Sequence, residues 1–151
     1  MLAAVDLTGA DMKILLPVDG SPFSTRAARY VARHLQLFGR RPVVTLVHVD
    51  PPLLERLSDE ISPDDIARFH EKNSDAAMRM PRKLLAAARV SYRELRLVGD
   101  PGTRIAKVAK EARPDLIVMG SHGRGALKSL LLGSVVSKTL AQTRVPVLVV
   151  R

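Results

Sequence analysis

Apolar residues in this chain fall into short unbroken runs that alternate with stretches where they recur every three or four positions. The first run, Ile14-Leu15-Leu16-Pro17-Val18, follows Lys13 and reads as a buried strand ending at Asp19-Gly20-Ser21. Ser21 and Pro22 form a helix start: serine accepts an orphan N–H, and proline suits the first helical position. Phe23, Ala27, Val31, Leu35 and Phe38 keep helical spacing from there, and Gly39 is the predicted stop. Val43-Val44-Thr45-Leu46-Val47-His48-Val49 is β-branched and almost continuously apolar, the pattern of a strand covered on both faces. Asp50-Pro51-Pro52 ends it. Ser62-Pro63 repeats the helix-start signature and opens a long helix predicted to reach about Ala88. Met80-Pro81 lies inside that helix. An interior proline costs about 3 kcal/mol in an ideal helix, which predicts a kink or a break near Ala77.

Tyr92-Arg93-Glu94-Leu95-Arg96-Leu97-Val98 alternates in the manner of a strand with one wetter face. Gly99-Asp100-Pro101 caps a short helix with Ile105, Val108, Ala109 and Ala112 facing inward, and Pro114 closes it. Asp115-Leu116-Ile117-Val118-Met119 is a fourth strand, a glycine loop follows, and a last helix runs from Ser134 to Thr143. Pro146-Val147-Leu148-Val149-Val150 is the fifth strand. Strands alternating with helices predict one α/β domain over residues 13–151, built on five parallel strands. Residues 1–12 are expected to form a mobile leader.

Composition narrows the chemistry. The 151 residues include no cysteine, which excludes disulfides and thiolate catalysis. No apolar run is long enough to span a bilayer, and Met1 to Met12 carries Asp6 and Asp11 without a basic segment, so no secretory signal is read and a cytoplasmic location is expected. The net charge of +9 raises the question of nucleic acid. The basic residues are scattered along the chain, however, and none of Phe23, Tyr30, Phe38, Phe69 and Tyr92 interleaves with a basic run. The sequence therefore favours a solvated surface over a nucleic-acid face.

The densest chemistry lies in Met119-Gly120-Ser121-His122-Gly123-Arg124-Gly125, which runs on to Leu132-Gly133-Ser134. A strand, a glycine loop and a helix start make an anion cradle: glycine lets backbone N–H groups approach a bound group, and the helix adds unpaired donors at its positive end. Ser134 is expected to cap that helix and to face a phosphate. The loop is not a P-loop, because Ala126 follows Gly125 where lysine is required, and it fails the dinucleotide fingerprint, because Lys128 stands at the third glycine position. Ligands of open parallel sheets bind beyond the strand ends where strand order reverses. If the first and fourth strands are neighbours, Asp19 and Gly120 open onto one crevice, with Val47-His48-Val49 close by. A carboxylate there suits a ribose hydroxyl, or a metal held on phosphates. His122 lacks an identifiable carboxylate partner and reads as a loop histidine. His48 reads as a strand end, and His34 and His70 as helix-surface residues. Arg124 and Lys128 are placed to reach a phosphate or simply to be solvated.

These stretches together, with Ile14 to Ser21, Asp115 to Gly125, Leu131-Leu132-Gly133-Ser134-Val135 and Pro146 to Val150, resemble the universal stress protein family, in the glycine spacing of its ATP-binding branch. The resemblance implies a Rossmann-like open five-stranded parallel sheet, order 3-2-1-4-5, with helices on both faces. It implies a site for ATP, with Mg²⁺ as a companion ion. Asp19 would meet the ribose or metal side of the nucleotide, and Val47 and Val49 would flank or hydrogen-bond the adenine. Gly120, Gly123, Gly133 and Ser134 would hold the phosphates, with a backbone N–H from Val135 and Arg124 within reach, and Pro17, Val18, Met119 and His122 would belong to the same nucleotide site. Asp19 would be the metal-side carboxylate, and no residue is assigned a catalytic role. The resemblance also implies a homodimer paired through the last strand at Val147 to Val149, and a regulatory module with slow or no hydrolysis. A nucleotide-free dimerising adaptor and a weak ATPase stay open beside it.

Overall fold

The computed structural model describes residues 11–39, 41–53, 61–125 and 131–151. In it the strands are β1 (Lys13–Pro17), β2 (Val43–Asp50), β3 (Ser91–Val98), β4 (Leu116–Gly120) and β5 (Val147–Val150). The helices are α1 (Pro22–Arg33), α2 (Pro63–Ala87), α3 (Pro101–Ala112) and α4 (Ser134–Gln142). All strand pairs are parallel and the order is β3-β2-β1-β4-β5, as the sequence reading expects. Strand order reverses between β1 and β4, so their carboxyl ends diverge into a crevice.

Two apolar layers hold the helices to the sheet. Ile14, Leu16, Val44, Leu46 and Val118 face α1 and α2, meeting Ala27, Ala28, Val31, Met78 and Leu85. Leu15, Val47, Val49, Ile117 and Met119 face the other way, onto Ile105, Val108 and Ala109 of α3 and Val136 of α4. Burial on both sides is why β1, β2 and β4 read as unbroken apolar runs. Edge strand β3 alternates exposed and half-buried positions instead.

Three expectations change. First, α1 ends at Arg33 rather than Phe38: a 3-10 turn over Leu35–Leu37 follows, and Phe38 turns inward to be 3% exposed. The helical spacing of Leu35 and Phe38 continues because a 3-10 turn keeps nearly the same side-chain period. Second, α2 runs unbroken through Pro81. Proline leaves the carbonyl of Ala77 without its usual N–H donor, but Ala77 and Pro81 are both buried, and packing holds the turn in place. Third, the last two residues of the expected leader are tied down. Asp11 accepts the Arg41 N–H at 2.6 Å, and the carbonyl of Met12 accepts the Val43 N–H at 3.0 Å. The rest of the leader, and Lys128, lie outside the described residues.

Candidate functional site

The crevice between β1 and β4 is a cavity of about 440 Å³. Small-molecule sites fall in the range of roughly 300–1,000 Å³. The residues assigned to the nucleotide by the family resemblance line this cavity: Pro17, Val18, Asp19, Val47, Val49, Met119, Gly120, His122, Gly123, Arg124, Gly133, Ser134 and Val135. They come from both sides of the switch point and from the start of α4.

One wall is main chain. β2 continues three residues past its last pairing with β1, which is Pro17 with Val47. The Val47 carbonyl accepts the Val18 N–H at 2.8 Å, and the Asp50 carbonyl accepts the Gly99 N–H at 2.9 Å. Backbone groups alternate sides along a strand. Those of Val49 therefore point the same way as those of Val47, to the side where β1 has already ended. Its N–H and C=O open onto the cavity with no strand opposite. The aliphatic side chains of Val47, Val49, Ile105, Met119 and Val136 surround this ledge.

The opposite wall is polar and positive. Ser21, Ser62 and Asp100 each accept a first-turn N–H of α1, α2 and α3 respectively. Helix α4 has no side-chain cap, and Gly133, not Ser134, is its N-cap residue. Ser134 is the first helical residue, so the expected capping role does not exist. The unpaired N–H groups of that first turn, at the positive end of the helix dipole, border the cavity through Ser134, Val135 and Val136. A Cβ on Gly133 would lie 3.1 Å from the Cα of His122 and 3.3 Å from the carbonyl oxygen of Ser121. The Gly133 N–H donates to that oxygen at 2.8 Å. Loop 121–123 is thereby laid against the start of α4, and their backbones form one surface.

The glycines divide by role. A Cβ on Gly120 would stand 2.5 Å from the carbonyl carbon of Phe23 and 2.8 Å from the nitrogen of Ser24. Gly120 borders the cavity, but the need for glycine there comes from α1 crossing β4 backbone to backbone. A Cβ on Gly123 would instead lie 2.9 Å from Oδ2 of Asp19. Asp19 accepts the Ser21 N–H through Oδ1 at 2.9 Å, and its carbonyl accepts a hydrogen bond from Nε of Arg124. Arg124 thus bridges the two strand ends across the switch point. His122 places Nδ1 3.0 Å from Oγ of Ser121, and its ring lies 5.2 Å from that of Phe23. Among the described residues no three His, Cys, Asp or Glu side chains cluster to hold a metal. A cation at Asp19 would therefore share its coordination with a ligand's own oxygens.

Two histidines are more deeply engaged than their sequence positions suggest. His48 is 2% exposed and pairs Nδ1 with Oγ of Ser74 at 3.0 Å. Burial pushes its pKa below the ordinary 6.5; Arg124 acts in the same direction, against the opposing pull of Asp50 and Asp19. His70 is not a surface residue: its Nδ1 lies 2.7 Å from Oδ2 of Asp50, which Asn73 also donates to at 2.8 Å. These pairs pin the end of β2 to α2 from behind the main-chain ledge. A histidine and a carboxylate 20 residues apart carry no local signal of such pairing.

Among known families, the model of the universal stress protein family matches residues 12–151. This chain belongs to the universal stress protein family. A universal stress protein of Thermus aquaticus is 35% identical over 139 residues, covering 91% of this chain and 97% of the relative. Universal stress protein MJ0531 of Methanocaldococcus jannaschii is 31% identical, covering 92% of this chain and 81% of its own. The solved structure of protein MJ0577, from the same archaeon, superposes with a TM-score of 0.76 at 30% identity, covering 93% of this chain and 95% of that one. Two more distant structures share the fold: a universal stress protein in complex with cAMP (TM-score 0.61, 22% identity, 94% and 98% covered) and an Arabidopsis thaliana family member with AMP bound (TM-score 0.66, 18% identity, 92% and 90% covered).

Among the described residues no helix is long and apolar enough to cross a membrane.

Proposed function

We propose that this universal stress protein binds ATP in the β1–β4 crevice and acts as a regulatory module with slow or no hydrolysis. The observation that carries the reading is the pairing of two unlike walls: a main-chain ledge at Val49 among aliphatic side chains, and the uncapped first turn of α4 beside the glycine loop. The first has a donor and an acceptor side by side between apolar surfaces, which suits a planar base edge. The second offers backbone N–H groups and a positive helix end, which suit phosphate oxygens. In this reading Asp19 meets the ribose or a Mg²⁺ ion carried by the phosphates, and Arg124 exchanges its hydrogen bond to the Asp19 carbonyl for a phosphate. Cyclic AMP and AMP in structural neighbours support an adenine nucleotide.

Calorimetry with ATP, ADP and AMP tests this, with thermal unfolding beside it. At 100 times its Kd a nucleotide adds about 2.7 kcal/mol of stability. Gly123→Asp sets a second carboxylate against Asp19 and is expected to abolish binding while its circular dichroism stays native. No stabilisation by any adenine nucleotide, or full affinity in a folded Gly123→Asp variant, overturns the reading. ADP release well above that of Gly133→Asp would show a working ATPase instead. The reading includes a homodimer through the open edge of β5, whose residues are all half-buried. A monomer by light scattering at micromolar concentration overturns that part.

A further inference from the structure

Basic residues that are scattered in the sequence are gathered by the fold. Every strand is entered past a cation. Lys13 opens β1, Arg41 stands two residues before β2, and Arg89 two before β3; Arg113 and Arg144 stand three residues before β4 and β5. Because the sheet is wholly parallel, all five entries lie at the end opposite the cavity. Neighbouring strands are about 4.8 Å apart, so the cations form a row about 19 Å long. All five are exposed, and none belongs to an ion pair among the described residues. Among the described residues the nearby carboxylates Asp11 and Asp115 accept backbone N–H groups of Arg41 and Lys13 and form no ion pair with the cationic heads.

Helix dipoles favour cations at helix C-termini and account for part of this. They do not account for Lys13 and Arg41, which stand at strand entries. Nor do they account for the backbone of two of the other three: Arg89 has φ 55° and Arg113 φ 46°, in the left-handed region where glycine is the relaxed choice. Arginine thus stands twice where backbone relaxation alone favours glycine. Among the described residues no fully exposed aromatic side chain stands beside the row: Phe38 is buried, Tyr30 and Tyr92 are half-buried against the core layer under α1 and α2, and the exposed Phe69 lies near the other end of the molecule, one residue from the Asp50 partner His70. Unpaired bases therefore meet no freely exposed ring to stack on there, and a bilayer interface meets no projecting aromatic anchor. Leu37 and Val43 are exposed at this end as isolated aliphatic groups.

We propose that this row binds the phosphate backbone of a nucleic-acid duplex, without regard to sequence. The proposal is independent of the nucleotide site, which lies at the opposite end. A fluorescein-labelled 24-base-pair DNA duplex of arbitrary sequence serves as the probe, with anisotropy read across a salt series and saturating ATP present or absent. If all five cations engage, affinity falls about 500-fold between 50 and 200 mM salt, since log K falls with slope of about −0.9 per phosphate neutralised. The variant Arg89→Gly/Arg113→Gly removes two cations and relaxes two backbone positions. It is expected to melt no lower than the parent, yet to lose affinity about 40-fold over the same salt range, the slope for three contacts. Arg68→Gln/Lys72→Gln, on the far part of α2, leaves the slope unchanged. No binding at 50 mM salt overturns the proposal. So does a slope unaltered in the double-glycine variant, tighter binding to the single strand, or binding to phosphatidylserine vesicles without binding to the duplex.

Discussion

Replacing Gly120 with alanine would put a methyl carbon 2.5 Å from the carbonyl carbon of Phe23, 2.6 Å from its oxygen and 2.8 Å from the nitrogen of Ser24. All three are backbone atoms in the first turn of α1, so no rotamer change relieves the contact. Either α1 slides off β4 or the end of β4 bends. Both disturb the layer in which Ala27, Ala28 and Val31 are fully buried against the sheet. Overpacking of this kind costs roughly 1–3 kcal/mol, and rigid neighbours place it in the upper part of that range. For a chain of this length a loss of about 2–3 kcal/mol lowers the melting temperature by roughly 4–12 °C. Gly125→Ala is the control, because a methyl there meets nothing within 4 Å. It should leave stability within about 0.5 kcal/mol of the parent. Urea denaturation of the three proteins, with the slope m unchanged, reads the difference as a shift in midpoint. A Gly120→Ala protein as stable as Gly125→Ala would refute the assignment of Gly120 to helix–strand packing and leave ligand approach as the reason for glycine there.

The buried His48 makes stability pH-dependent in a definite direction. Its pKa is lower in the folded protein than the ordinary 6.5, so the unfolded chain binds the extra proton first; the folded state is undiminished above pH 6.5 and loses stability as the pH falls below it. His48→Gln should flatten that decline in denaturation midpoints between pH 7 and 5, and an unchanged decline would point to another group. At the start of α3, the hydrogen bond from Lys138, with those from Thr103, holds Asp100 down at about 2. Lys138→Ala should raise the Asp100 pKa toward the ordinary carboxylate value in an NMR titration, while the contact with Thr103 keeps it from reaching that value.

Much of the architecture was legible because its signals are local. Three helix starts share a serine or aspartate followed by proline, and each of Ser21, Ser62 and Asp100 does cap its helix. Unbroken apolar runs marked β1, β2 and β4, since those strands are covered on both faces. What escaped depends on distant partners. The packing that demands glycine at position 120 comes from Phe23, almost a hundred residues away, and its loop neighbours carry no sign of it. Ser134 looked like a cap because serine favours that position; Gly133 took it, since its contact with loop 121–123 fixes where the helix begins. His70 looked exposed on its helix, and only the crossing of α2 over the end of β2 brings it to Asp50. The scattered cations, likewise, form a row only once the strands are aligned.

The ledge at Val49 has a consequence for how this protein can change over time. Hydrogen-bonding atoms that belong to the peptide unit are the same whatever side chain is attached, so substitutions at position 49 among Val, Ile and Leu leave the offered donor and acceptor untouched. On the proposed function, divergent descendants can thus keep one base preference while their crevice walls drift. Proline at 49, which deletes the N–H, or a one-residue shift of the strand, which turns the carbonyl away, is the kind of change that would end it.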